Sequence, residues 1–311
     1  MLEGSSVRLL FDDDVLRRLW RGVWREPADF AVVVESDPER IELLEDPFSS
    51  VADVQDRLGQ LEARLIARND RRSVFLTVYT EMTAQTARAI DEGTFDDSVW
   101  MRRYLVRFAE YYRRAFEAFE RGAFEDVPDP WLVAFGTALR GDALVAQDAF
   151  LGINAHILYD LALTLSDIGL DPEREVKYTD HRRIDGILGR LVRIQRELLA
   201  ERYAPGLSRV GKHMQGFDER WSASTLRHAR ENAWRTAVVR SDAGWRFVET
   251  YTEWLLQRTA TGSAFSLLQP TEDPSTMAVL RDIESDQFDL VSYARTFHER
   301  AGGGLSAARS P

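Results

Sequence analysis

The chain has 311 residues, of which 44% are hydrophobic and 11% aromatic, a composition that folds into a globular body with ample core. Its 51 acidic residues against 40 basic ones leave a net charge of −11, which disfavours binding to a nucleic-acid backbone. Cysteine is absent, so disulfides, thiolate metal ligands and cysteine nucleophiles are excluded.

Only Lys177 and Lys212 among the basic residues are lysine; a salt-rich cytoplasm and a GC-rich genome would each produce that bias. No run of ~18 uninterrupted apolar residues is present, so no membrane span is expected. Met1-Leu2-Glu3-Gly4 lacks the basic region and apolar run of a secretory signal, and a cytoplasmic location is expected. Oligomeric state stays open.

In chain order, residues 1–48 read as a short non-helical N-terminal extension, with Phe30–Val34 either a strand or a buried extended segment. Val51–Arg68 is a helix with Val54, Leu58, Leu61 and Leu65 on one stripe. Ser73–Glu92 is a second, and Asp97–Arg121 an aromatic third, stopped by Gly122. Asp129-Pro130-Trp131 opens a fourth. An apolar helix follows from about Ala143 to Ile168, with Gly169 as its stop. Asp180–Tyr203 is amphipathic, Pro205–Phe217 a loop, Ser222 the cap of a helix to about Arg240, and Trp245–Arg258 another helix. No internal repeat stands out. The expected fold is all-α: one multi-helix bundle over residues 49–262 with a buried polar centre, followed by a C-terminal extension (263–311) whose tail from Ala301 is disordered.

The polar centre lies in Ala149–Leu165, where Asn154, His156, Asp160 and Thr164 interrupt a helix that is otherwise hydrophobic all round. Such a helix is buried, and an imidazole and a carboxylate there need compensation. His156 and Asp160, four apart, share one helix face. They could chelate a divalent metal, act as a general base with its orienting carboxylate, or brace one another. Asn154 points the other way, in line with Gln147, and is expected to bond neighbouring backbone.

A second His-x-x-x-Asp pair, His181 and Asp185, follows Asp180, which reads as an N-cap. Two such helices could complete a four-ligand site of His156, Asp160, Asp180 and Asp185 for Zn, Mn or Mg. The spacing resembles that of the all-α zinc phospholipase C and P1-type nuclease group. In the segment from Trp221-Ser222 to Trp234, Arg230 and Trp234 share a face that could clamp an anion over an aromatic wall. The aromatic helix carrying Tyr104 could line an apolar pocket.

At these residues the chain resembles an uncharacterised family, domain of unknown function family 5995. The likeness rests on Phe75 to Tyr79, Phe95 to Trp100, Trp131-x-x-Ala134-Phe135, and above all Gly152-x-Asn154-Ala155-His156-Ile157 followed by Asp160-Leu161. It continues in Asp180 to Asp185 with departures at His181 and Asp185, and closes on Trp221-Ser222 and Ala229-Arg230 to Trp234. The resemblance implies an all-α fold over about residues 50–260 and a polar centre of Asn154, His156, Asp160 and Asp180; it implies no activity.

Three functions stay open. The first is a metal-dependent ester or phosphoester hydrolase, with His156, Asp160 and Asp180 catalytic and Asn154, Arg230, Trp234 and Tyr104 at the substrate. The second is a protein that binds an apolar or aromatic small molecule, and the third a structural network.

Overall fold

The computed structural model describes residues 26–32, 37–209, 223–269 and 274–303. It is all-α, with no strand among the described residues. The helices are α1 (Pro38–Glu45), α2 (Val51–Ala67), α3 (Ser73–Asp91), α4 (Ser98–Glu120), α5 (Asp129–Arg140), α6 (Val145–Ala155), α7 (Leu161–Ile168), α8 (Arg174–Arg209), α9 (Ala223–Ala243), α10 (Arg246–Leu268), α11 (Pro274–Gln287) and α12 (Leu290–Gly303).

Local chemistry sets several helix boundaries. The Ser50 side chain accepts from the Asp53 backbone N–H and starts α2, as Asp97 accepts from Trp100 to start α4. Gly141, at φ +63°, ends α5 in a left-handed turn that a residue with a Cβ rarely adopts.

The centre of the molecule is the stretch from Val145 to Ile168, in which α6 and α7 are joined by one π-helical turn, His156–Asp160. It is long and apolar enough to cross a membrane, yet 89% of its most apolar 18-residue window is buried inside the bundle, as expected of a core helix. Helices α3, α5 and α10 pack on α6, while α4 and α9 pack on α7. Helix α8 closes the bundle against α3 and α9.

Several sequence expectations need correction. The first 48 residues are not a plain extension. Asp37 caps α1, which packs on α2 and α4, burying Leu44 and Arg40. Buried Arg40 and Arg72 share the buried carboxylate of Glu120. Phe30 ends a 3-10 turn (Pro27–Phe30) rather than starting a strand. Gly136 admits it: a Cβ there would lie 2.9 Å from Phe30 Cβ. Residues 33 and 34 lie outside the described residues.

Helix α8 starts at Arg174, so Asp180 sits inside it, and it continues through 205–209, where a loop was expected. The rest of that loop, together with Trp221 and Ser222, lies outside the described residues. The boundary at 262 falls within α10. Beyond it, Met277 and Leu280 of α11 and Leu290, Tyr293 and Phe297 of α12 join the same core cluster, so α11 and α12 belong to the bundle. Their apolar spacing was readable in the sequence. Residues 301–303, expected to open a disordered tail, close α12 with Ala301 buried; the rest of that tail lies outside the described residues.

Candidate functional site

The π turn brings His156 and Asp160 together. His156 Nδ1 lies 2.8 Å from Asp160 Oδ2, and the Trp131 indole Nε1–H donates to the same oxygen at 2.8 Å. Both residues are buried, His156 at 2% and Asp160 at 0% exposure. Inserted π turns widen a helix locally and recur at functional sites.

An aromatic box surrounds the imidazole. Phe108 stacks on it at 3.5 Å between centroids, and Tyr79 meets it edge-on at 4.5 Å. Phe75 and Trp131 stand 5.9 and 5.8 Å away. Burial in this box pushes the Asp160 carboxyl well above its usual range, against the indole N–H, and pushes the imidazole well below its own.

Two polar atoms of the pair, His156 Nε2 and Asp160 Oδ1, are buried with no hydrogen-bond partner among the described residues. His156 also lines a cavity of about 60 Å³ between α3, α4, the π turn and α8. Met82, Tyr104, Phe108, Leu188 and Arg230 contribute other walls, and apolar side chains dominate.

The second His-x-x-x-Asp pair forms a separate cluster. The His181 Nε2–H donates to the Arg230 carbonyl at 3.3 Å. Its Nδ1 therefore accepts, from Tyr104 Oη at 3.1 Å and Arg230 Nη2 at 3.3 Å. Burial, then the Arg230 charge, holds this imidazole well below its usual range. Asp185 accepts from Arg230 Nε at 2.7 Å and pairs with Arg182 at 3.0 Å. Trp234 packs behind, 5.3 Å from the His181 ring and 6.4 Å from Trp100. It does not line the cavity, whereas Tyr104 and Arg230 do.

Asp180 works elsewhere. Its two carboxylate oxygens accept the backbone N–H groups of Asp96 and Asp97 at 2.9 and 2.7 Å, and Arg183 donates to Oδ1 at 2.6 Å. It anchors the start of α4 instead of capping its own helix. The expected metal set of His156, Asp160, Asp180 and Asp185 is thus not assembled: the last two are engaged by backbone amides and by arginines. Among the described residues no group of three or more histidine or acidic side chains could hold a metal ion.

Asn154 is not at the cavity. Its Nδ2 donates to the Ala260 carbonyl at 2.8 Å, and Gln147 Nε2 to the Leu267 carbonyl at 2.8 Å. The two amides stitch α6 to α10, as the sequence suggested for backbone partners.

Sequence reasoning missed Trp131 as the partner of Asp160, and Phe75 and Phe108 as walls of the imidazole box. Gly152 was the available signal: a Cβ there would lie 2.6 Å from Phe75 Cβ, so this glycine marks where another element presses on the central helix.

No curated protein and no solved structure matches this chain. A family model matches residues 51–270, a span that contains the central helix, the His156–Asp160 pair and the walls of its cavity. By that match the chain belongs to the family of unknown function DUF5995.

Proposed function

We propose that this protein binds a small, mostly apolar molecule in the cavity beside His156. One observation carries the reading: a buried imidazole keeps Nε2 without a partner among the described residues while lining an apolar cavity. An unsatisfied buried polar atom costs about 1–3 kcal/mol, and a core meant only to be stable would place an apolar side chain there. Apolar walls with a few polar groups are the usual make-up of a small-molecule site. The expected hydrolase loses its metal donors, because Asp180 and Asp185 are spent in other clusters.

Methyl NMR of the full chain tests the reading. Xenon or a small organic probe should shift the Ile153, Ile157, Ile184 and Leu188 methyl signals saturably. A spectrum in which those methyls do not respond while surface methyls do would reject it.

A further inference from the structure

The direction of the hydrogen bond that His156 offers a ligand follows from the residue behind it, and rests on the cavity reading above. Asp160 is wholly buried, and His156 is the one basic side chain within ion-pair distance of it among the described residues. A carboxylate there would be an uncompensated buried charge, which costs several kcal/mol. A neutral acid must place one hydrogen. On Oδ1 it would meet no partner among the described residues. On Oδ2 it faces His156 Nδ1 at 2.8 Å, a good nitrogen acceptor, and Oδ2 can still accept the Trp131 N–H.

With Nδ1 accepting, the single hydrogen of the neutral ring sits on Nε2. Burial acts in the same sense on both partners, raising Asp160 and lowering His156. At the other wall, Arg230 is already paired with Asp185 at 2.7 Å. Among the described residues that line the cavity, an anionic ligand would therefore find no uncommitted charge to meet it.

We infer that the cavity selects a small neutral molecule bearing an oxygen acceptor, such as a ketone or aldehyde carbonyl, to which His156 Nε2–H donates while Asp160 Oδ2–H backs it from behind. Size narrows the class. A cavity of ~150 Å³ accommodates benzene, so the present volume of about 60 Å³ scales to roughly two or three non-hydrogen atoms, and a four-atom ketone enters only as a wall side chain yields. Met82, only partly buried at the wall, is the adaptable side chain that would give way.

The experiment compares acetone with isobutene on the full-length protein, a pair alike in shape and differing in the acceptor. Titrations are followed on the Ile153 and Ile157 methyls, and the imidazole nitrogens of His156 are read by long-range proton–nitrogen correlation. The expected result is an acetone Kd at least tenfold below that of isobutene, with the hydrogen of His156 on Nε2. Equal affinities, or preference for isobutene, overturn the inference while leaving the cavity reading intact. If neither probe binds, the cavity reading falls. The tautomer then still decides the donor assignment, since a hydrogen on Nδ1 contradicts it.

Discussion

Phe75 of α3 lies directly on Gly152 of α6, so that an added Cβ would stand 2.6 Å from Phe75 Cβ. The ring fills the space a side chain would take, and from there it meets Tyr112, Trp131 and His156, with centroids 5.7, 5.5 and 5.9 Å away. A single missing side chain on the central helix thereby lets α3 form one wall of the imidazole box. Gly152→Ala should destabilise the fold by about 1–3 kcal/mol through overpacking. Urea unfolding checks this, and a variant as stable as wild type would show that Phe75 has room to retreat.

The His156–Asp160 pair should shape the stability of the protein against pH. Asp160 is raised from its ordinary 3.8 and His156 lowered from its ordinary 6.5, both by burial. Above 3.8 the unfolded acid loses its proton while the folded one keeps it, so this group alone makes stability fall as pH rises. Below 6.5 the unfolded imidazole gains a proton that the folded one refuses, so this group alone makes stability fall as pH drops. Between 3.8 and 6.5 the two slopes oppose and cancel. Relative to the His156→Gln/Asp160→Asn double variant, wild-type stability should be flat in that window. It should fall by about 1.4 kcal/mol per pH unit on either side, until each folded group titrates. A difference that does not change with pH would refute neutral burial.

The latch on α12 should respond to alkali. His298 Nε2 and Nδ1 stand 2.9 and 3.2 Å from the carboxylates of Glu62 and Glu81, and these bonds push the imidazole up to about 9. A raised histidine contributes stability that is fully present below its unfolded value of 6.5 and is lost as pH rises through about 9. The side chain is 37% exposed, so solvent screening reduces the effect. The melting temperature of wild type should exceed that of His298→Gln at pH 6 and converge with it by pH 10. A gap that persists at pH 10 would mean that packing, and not charge, secures α12.

Asn154 separates bracing from binding. It donates to the Ala260 carbonyl and does not line the cavity. Asn154→Leu should cost about 1–3 kcal/mol, seen in urea unfolding, while leaving the acetone Kd within twofold of wild type. A tenfold loss of affinity with little loss of stability would return Asn154 to the ligand.

Because Asp180 and Asp185 are engaged elsewhere, added zinc, manganese or magnesium should not raise the melting temperature, and a chelator should not lower it. A saturable rise that disappears in His156→Ala would restore a metal site. Elemental analysis of the purified chain is the companion measurement.

The sequence by itself determined the bundle and its centre. Helical spacing in Val54, Leu58, Leu61 and Leu65 required a packed stripe, and polar residues within the apolar run 149–165 marked His156 and Asp160, because burial makes such residues costly without partners. Met277, Leu280, Leu290, Tyr293 and Phe297 carry the same helical spacing, but residues 263–311 were expected as an extension, and only packing on the common core made α11 and α12 part of the bundle. The partners of the centre were not legible, since they come from elsewhere in the chain. Trp131 reaches Asp160 across 29 positions, and Asp180 turns to amides 83 and 84 positions away. The repeated His-x-x-x-Asp spacing fixes only which face of a helix each pair occupies. Whether two such faces meet depends on how the helices cross, and here packing sends one pair into an aromatic box beside a cavity and the other to Arg230. Periodicity is local and so is read from the sequence; convergence is a property of packing, and only the tertiary structure decided it.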